Sequence, residues 1–396
     1  MKIAHINIYP KRNTLHTGSG GVAAYSKTLI TNIPYTKEDT VYVLCDILDK
    51  KDSYIEENVK VIRCFKKNPT YFISLIKEWL KIDVEVIHIQ QELKLYGNLL
   101  TALLLPLLLL IFRLKSKVVI TLHGVVSLKT VDEKFIKGNF VNFPVFIVKT
   151  GFFIIYYFLC LVVNKIIVHE DYFANILEKE YFINKNKIDV IPLGIEETEI
   201  IPKVTARKSL NLESKKNIIL FMGYLTGYKG IDLLIEGFSK LLEIRKDVFL
   251  IIGAGKHPKF GNDPIYLEIY NNTVNKAKKM LPNNNYSWKG YIEENEISNY
   301  YCAADLTIFP YIVTIASSGP MGISIGYEKP FLCSDSFKEV FNESIIFKKN
   351  PTDIANKINI SLNENYKKIL KYTSQLKDER SIKVIGKNTY TLYKKL

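Results

Sequence analysis

Acidic residues are in short supply: 40 Asp and Glu stand against 54 Lys and Arg, a formal net charge of +14. Cysteine is scarce too. Cys45, Cys64, Cys160, Cys302 and Cys333 lie far apart and never form a CxxC pair. That spacing excludes a disulfide framework and a zinc site, and it points to a reducing, cytoplasmic compartment. There is no GxxxxGK[ST] loop and no HExxH pair, which excludes a P-loop NTPase and a zincin. There is also no DxD triplet, so a carboxylate clamp for a metal on a diphosphate is not indicated, and no metal site is predicted. The opening Met1-Lys2-Ile3-Ala4-His5-Ile6 reads as a strand and not as a secretory signal.

The basic residues are scattered, in short clusters such as Lys66-Lys67, Lys215-Lys216 and Lys348-Lys349. Such a field suits a solvated surface first, then an anionic membrane surface, and nucleic acid least. Two apolar runs stand out. Leu99 to Phe112 contains Pro106 and is short for a bilayer span; Phe143 to Val163 is long enough, but carries Lys149 and Gly151 and places Tyr156 and Tyr157 mid-run. Both read as buried or surface-lying helices, because an α/β pattern continues on either side.

With 396 residues, 47% of them hydrophobic, the chain can build two cores. β-branched runs predict strands at Ile3–Ile8, Val41–Cys45, Val59–Arg63, Val86–Gln90, Lys117–Leu122, Lys165–Val168 and Asp189–Ile191. Helical stretches such as Val22–Thr31 and Tyr172–Lys179 separate them. After Pro192-Leu193-Gly194 the chain turns polar up to Lys216, and the rhythm restarts at Asn217–Met222, Val248–Ile252, Tyr286–Trp288, Leu306–Phe309 and Pro330–Cys333. Ser381–Leu396 reads as a helical tail. This is the signature of two doubly wound α/β domains, whose ligands bind beyond the carboxyl ends of the strands.

Four segments occupy such places. Gly18-Ser19-Gly20-Gly21 opens a helix after the first strand, where glycine permits close backbone approach and a helix N-terminus favours an anion; a plain flexible turn has the same appearance. His123 follows a buried strand, where imidazole can meet a sugar hydroxyl or a developing charge, although a lone histidine is commonly structural. Gly223 to Asp232 joins a strand-end glycine to Lys229 just before a helix, a cation suited to a departing diphosphate. Ser317-Ser318-Gly319 precede Pro320 at another helix start, where amides and hydroxyls can cradle phosphate or simply cap the helix.

In this order the segments resemble the retaining family 4 (group 1) glycosyltransferases, over nearly the whole chain. The Gly-Tyr-x-x-x-Tyr-Lys-Gly-x-Asp-x-Leu run at 223–234 is the most specific match, and Gly290-Tyr291-Ile292 followed by Tyr300 to Asp305 is close behind. The resemblance implies a GT-B fold, two Rossmann-like domains facing a central cleft. Residues 1–195 would bind the acceptor, 196–216 would link the domains, 217–380 would bind the nucleotide-sugar, and 381–396 would return as a helix to the first domain. It further implies that Lys229 and Ser317, Ser318 and Gly319 contact the donor diphosphate, and that Gly223 lets it approach. Tyr291 and Ile292 would meet the base, Gly20 and Gly21 would lie near the diphosphate and acceptor, and His123 would face the transferred sugar. His123 and Lys229 are the expected catalytic residues. The implied reaction is retaining, metal-independent hexosyl transfer, with a UDP- or GDP-linked sugar as substrate and no cofactor. The implied acceptor is a glycan or lipid-linked molecule of the cell envelope, reached from the cytoplasmic face of the inner membrane, with no nucleic acid involved. Two departures mark this chain: Tyr224 stands where the family often has Arg, and the family's paired glutamates fall near Ile315 and Ile323. An isoleucine accepts no hydrogen bond, so a non-catalytic partner subunit of an active transferase is the alternative expectation.

Overall fold

The computed structural model describes residues 1–15, 21–93, 95–138, 143–212, 217–257 and 261–396. Its strands are β1 (Lys2–Asn7), β2 (Thr40–Asp46), β3 (Asp52–Glu56), β4 (Val59–Phe65), β5 (Val86–Gln91), β6 (Lys117–Leu122), β7 (Lys165–Val168), β8 (Ile188–Val190), β9 (Asn217–Tyr224), β10 (Val248–Gly255), β11 (Tyr286–Trp288), β12 (Leu306–Phe309), β13 (Phe331–Ser334) and β14 (Ile346–Phe347). Its helices are α1 (Gly21–Asn32), α2 (Tyr71–Trp79), α3 (Leu99–Phe112), α4 (Glu133–Gly138), α5 (Val145–Val162), α6 (Asp171–Glu180), α7 (Lys203–Ser209), α8 (Ile231–Ile244), α9 (Pro264–Met280), α10 (Glu294–Ala303), α11 (Gly319–Gly326), α12 (Pro351–Leu362), α13 (Tyr366–Glu379) and α14 (Ile382–Lys394).

Two sheets result. The first has eight strands in the order β3-β4-β2-β1-β5-β6-β7-β8, and the second has six in the order β11-β10-β9-β12-β13-β14. All pairs are parallel except β3 with β4. Ile, Val and Leu fill the inner strands because helices cover both faces of each sheet. The β3–β4 hairpin was not anticipated from the sequence. Its two-residue turn, Glu57-Asn58, has left-handed φ at both positions, the geometry that suits a tight hairpin. The two-residue β14 is too short to leave a periodic signal.

The expected linker is only partly a linker, because α7 sits inside it. Arg207 is buried, donates to the Ala303 carbonyl and pairs with Asp305, which Lys203 also reaches. Asp305 accepts from the Ile218 amide as well. These bonds fasten α7 to the second domain, so that domain's packing begins before residue 217.

α14 packs across α1, and Ile382, Ile385, Leu392 and Tyr393 join Ile3, Leu29 and Val119 in one core cluster of the first domain. Gly386 allows this crossing, since a Cβ there would press on the Asn32 carbonyl. Just before α14, Arg380 makes a two-pronged pair with buried Glu170 of the first domain, at 2.6 and 2.9 Å. Burial raises the Glu170 carboxyl, and the Arg380 charge opposes that rise. Replacing Arg380 with Met strands a buried carboxylate. Thermal or urea denaturation should show a loss of about 3 kcal/mol, part of which returns in the Arg380→Met/Glu170→Gln double variant.

Candidate active site

Each sheet reverses its strand order once, between β1 and β5 in the first and between β9 and β12 in the second. Ligand crevices of open α/β sheets lie at such points. The two rims meet where Gly124, just after β6, bridges to Ala316, just after β12. A Cβ on Gly124 would strike the Ile315 carbonyl, so glycine is needed for the two loops to touch.

On the second rim, the next-to-last residue of β9 is Gly223, whose φ of +147° favours glycine. A Cβ there would occupy the position of Lys229 Nζ. Lys229 lies in a short turn, Gly227–Lys229, and Gly230 (φ +68°) then opens α8. The lysine is buried and folds back over the β9 tip, with its ammonium 5.6 Å from the centre of the Tyr311 ring. No carboxylate among the described residues pairs with it. Burial alone lowers its pKa to about 8. A buried cation held without a counter-ion is an arrangement ready for an anion from outside the chain.

The Tyr311 hydroxyl carries the arrangement onward to Ser318 Oγ, 2.9 Å away. Ser318 is the N-cap of α11 and also accepts from the Met321 amide. Ser317 Oγ is buried, faces the Glu170 carboxylate and makes no hydrogen bond of good geometry. Gly319 begins the helix with open space around its Cα. The structure therefore brings Gly223, Lys229, Ser317, Ser318 and Gly319 to one reversal point, though Ser318 already spends its hydroxyl on capping.

On the first rim, both nitrogens of His123 face other side chains. Nε2 donates to Gln90 Oε1 at 2.8 Å, and Nδ1 lies 3.3 Å from His169 Nε2. His169 Nδ1 donates to the Ile191 carbonyl at 2.9 Å, which can only accept. Burial lowers both imidazoles, His169 to about 4, so both are neutral. With its proton on Nδ1, His169 presents a lone pair at Nε2, and His123, with its proton on Nε2, presents one at Nδ1, so the two rings face each other without a hydrogen bond. In this arrangement His123 offers a sugar the edge and backbone of its loop rather than an outward-facing nitrogen. Gly21 is the exposed first residue of α1; Gly20 lies outside the described residues. At the tips of β1 and β5, the buried Asn7 amide and Gln91 Oε1 have no partner among the described residues.

The side chain expected near a base is split. Tyr291 is 57% exposed and stacks on Tyr224, rings 6.1 Å apart and 10° from parallel, with His257 against the other partner at 5.5 Å. Ile292 is buried under Gly253 in the core of the second sheet, leaving only its backbone near the rim. Near the positions where glutamates were sought, Ile315 turns its carbonyl to Gly124 and Ile323 packs against the Met222–Ile251 cluster.

Sequence reasoning overlooked Tyr311, Gln90, His169 and Glu170. Three of them sit in or just past a strand's carboxyl end, the position that singled out His123, so the same rule was available. Tyr311 lies two residues beyond β12 and carried no motif.

Comparison with known proteins matches residues 19–199 to the Glycosyltransferase Family 4 model and residues 203–377 to the Glycosyl transferases group 1 model. A mannosylfructose-phosphate synthase of Agrobacterium fabrum is 28% identical over 139 residues, which is 34% of this chain and 30% of that protein; less than a third of its length is spanned. The solved sucrose-phosphate synthase of Thermosynechococcus elongatus superposes with a TM-score of 0.75 at 15% identity, covering 100% of this chain and 98% of that one. HepE of Anabaena, solved in complex with UDP and glucose, gives 0.70 at 13% identity with 100% of both chains covered. Both likenesses reproduce the two facing sheets described above. With the two models together accounting for both domains, the chain belongs to the family 4, group 1 glycosyltransferases and has the GT-B fold.

Proposed function

We propose that this chain transfers a hexosyl unit from a UDP- or GDP-linked sugar to a glycan or lipid-linked acceptor of the cell envelope, at the cytoplasmic face of the membrane. The observation that carries the reading is Lys229: a buried ammonium with no carboxylate partner among the described residues, close to the α11 N-terminus through Tyr311 at a strand-reversal point. HepE, a structural neighbour, was solved with UDP and glucose, which fits a uridine donor.

Transfer breaks the bond from the anomeric carbon to the donor phosphate and forms one to the acceptor oxygen. Lys229 and the first amides of α11 hold the charge that grows on the departing diphosphate. The acceptor proton needs a base. As the family resemblance implies, the departing phosphate oxygen takes it, on the same face as the acceptor, and this gives retention without a metal. Asn7 and Gln91, at the opposite reversal point, are placed to bind acceptor hydroxyls. Closing the rims at Gly124 and Ala316 excludes water that would hydrolyse the donor.

A second reading rests on Ile323, whose core packing leaves nothing there to hold a ribose hydroxyl. A partner subunit that binds nucleotide without turnover would have this feature. Product formation from any nucleotide-sugar and acceptor separates the two readings in favour of the enzyme.

Wild-type protein should gain thermal stability with one of UDP or GDP, and Lys229→Ala should lose that gain. No shift with either nucleotide would count against both readings. The pH dependence has a fixed sign. Diphosphate binding needs charged Lys229, whose pKa is about 8 in the free protein. Affinity by calorimetry should therefore stay level below pH ~7 and fall about tenfold by pH ~9. An affinity that does not change across this window would remove Lys229 from the phosphate site.

A further inference from the structure

The outer face of α3 and α5 is apolar and uncovered. Along α3, Leu99, Leu103, Leu107, Leu110 and, just past its end, Leu114 are exposed. Along α5, Phe146, Ile147, Ile154, Phe158 and Leu161 are exposed, with Phe143 just ahead of them. The α3 set recurs at three- and four-residue steps, and the α5 set at three-, four- and seven-residue steps with Phe146 and Ile147 adjacent, so each forms one stripe. The two helices pack side by side on the same face of the first sheet, and the stripes share one surface roughly 20 Å long. Isolated surface leucines need no explanation, whereas a contiguous patch of this size does.

Charge along the two helices is of one sign. No Asp or Glu occurs between Glu92 and Asp132, nor between Glu133 and Glu170. Arg113 and Lys187 gather at the carboxyl end of α5, where they donate to the Val162, Cys160 and Leu161 carbonyls. Lys115, just past α3, holds its ammonium over the Trp79 ring, and Lys149 lies within α5.

We infer that this face docks on an anionic lipid bilayer, with the leucines and phenylalanines in the interface and the lysines and arginine against the headgroups. α5 is apolar enough over Val145–Val162 to cross a membrane. Its other side, however, is built into the domain through Ile155, Tyr156, Leu159 and Cys160, and it connects β6 to β7. It therefore lies along the surface. The docked helix is tied to the cleft: Tyr156 donates from its hydroxyl to the Gly124 carbonyl at 3.0 Å, in the loop that joins the two rims. A lipid-linked acceptor would thus meet the cleft from the bilayer side. The lipid contact itself stands independently of the transfer chemistry.

Flotation of the full-length protein with phosphatidylcholine vesicles, with and without phosphatidylglycerol, tests this. Binding should require the anionic lipid and weaken with salt. Phe146→Gln/Phe158→Gln, both at exposed positions, should bind at least about tenfold more weakly with an unchanged melting temperature. Lys115→Glu/Lys149→Glu should weaken binding on anionic vesicles as well. Lys229→Ala should float like the wild type while losing transfer, whereas a wild-type protein that floats and transfers nothing overturns the enzyme reading and keeps this one. Equal flotation of the phenylalanine variant would overturn the lipid assignment. So would failure of the wild type to float, and a dimer in solution that this variant disperses would then identify a second copy as the occupant.

Discussion

The packing of α14 on α1 is the contact on which the cleft depends. Two parallel sheets have no intrinsic reason to face each other with their strand ends. Here the chain leaves the second domain after α13, and its last helix buries Ile382, Ile385, Leu392 and Tyr393 in the core of the first. The apolar area removed from water contributes several kcal/mol. The Arg380–Glu170 pair fixes the angle at which the chain crosses, and Thr28 adds a hydrogen bond to Glu196 on the other strand of the crossing. Gly124 can meet Ala316 only within that frame.

The frame also explains how uncompensated polarity is tolerated. A buried ammonium, a buried serine hydroxyl and the orphaned Asn7 and Gln91 groups each cost stability. Lys229, Asn7 and Gln91 lie near the strand tips, while the strand interiors are mostly apolar, with His5 and His88 among the exceptions. The cost is carried by two large hydrophobic cores and falls where binding can repay it.

Much of this was legible in the sequence. β-branched runs located the long strands, because strands covered on both faces must be apolar throughout. Gly223 and Lys229 stood out because a glycine at a strand tip leaves the space into which the lysine before the next helix folds. What escaped notice depends on distant partners. Nothing around Tyr311 signals that its ring lies under Lys229, and nothing around His169 signals that the Ile191 carbonyl sets its tautomer. Ile292 was placed near a base by a motif whose backbone faces the rim, while its side chain answers to the core. The helix within the expected linker was missed because its anchor, Asp305, lies about a hundred residues further along the chain.

The crossing of α14 has a consequence for biosynthesis. His88 on β5 bonds the hydroxyl of Tyr393, 305 positions later, and Glu170 waits 210 positions for Arg380. The first domain is therefore left with an uncovered apolar groove beside α1 throughout the translation of the second. Contacts of such long sequence separation form late and slowly. During that interval the emerging chain carries two exposed apolar surfaces, this groove and the α3–α5 face, and only the groove is covered by the chain's own later residues.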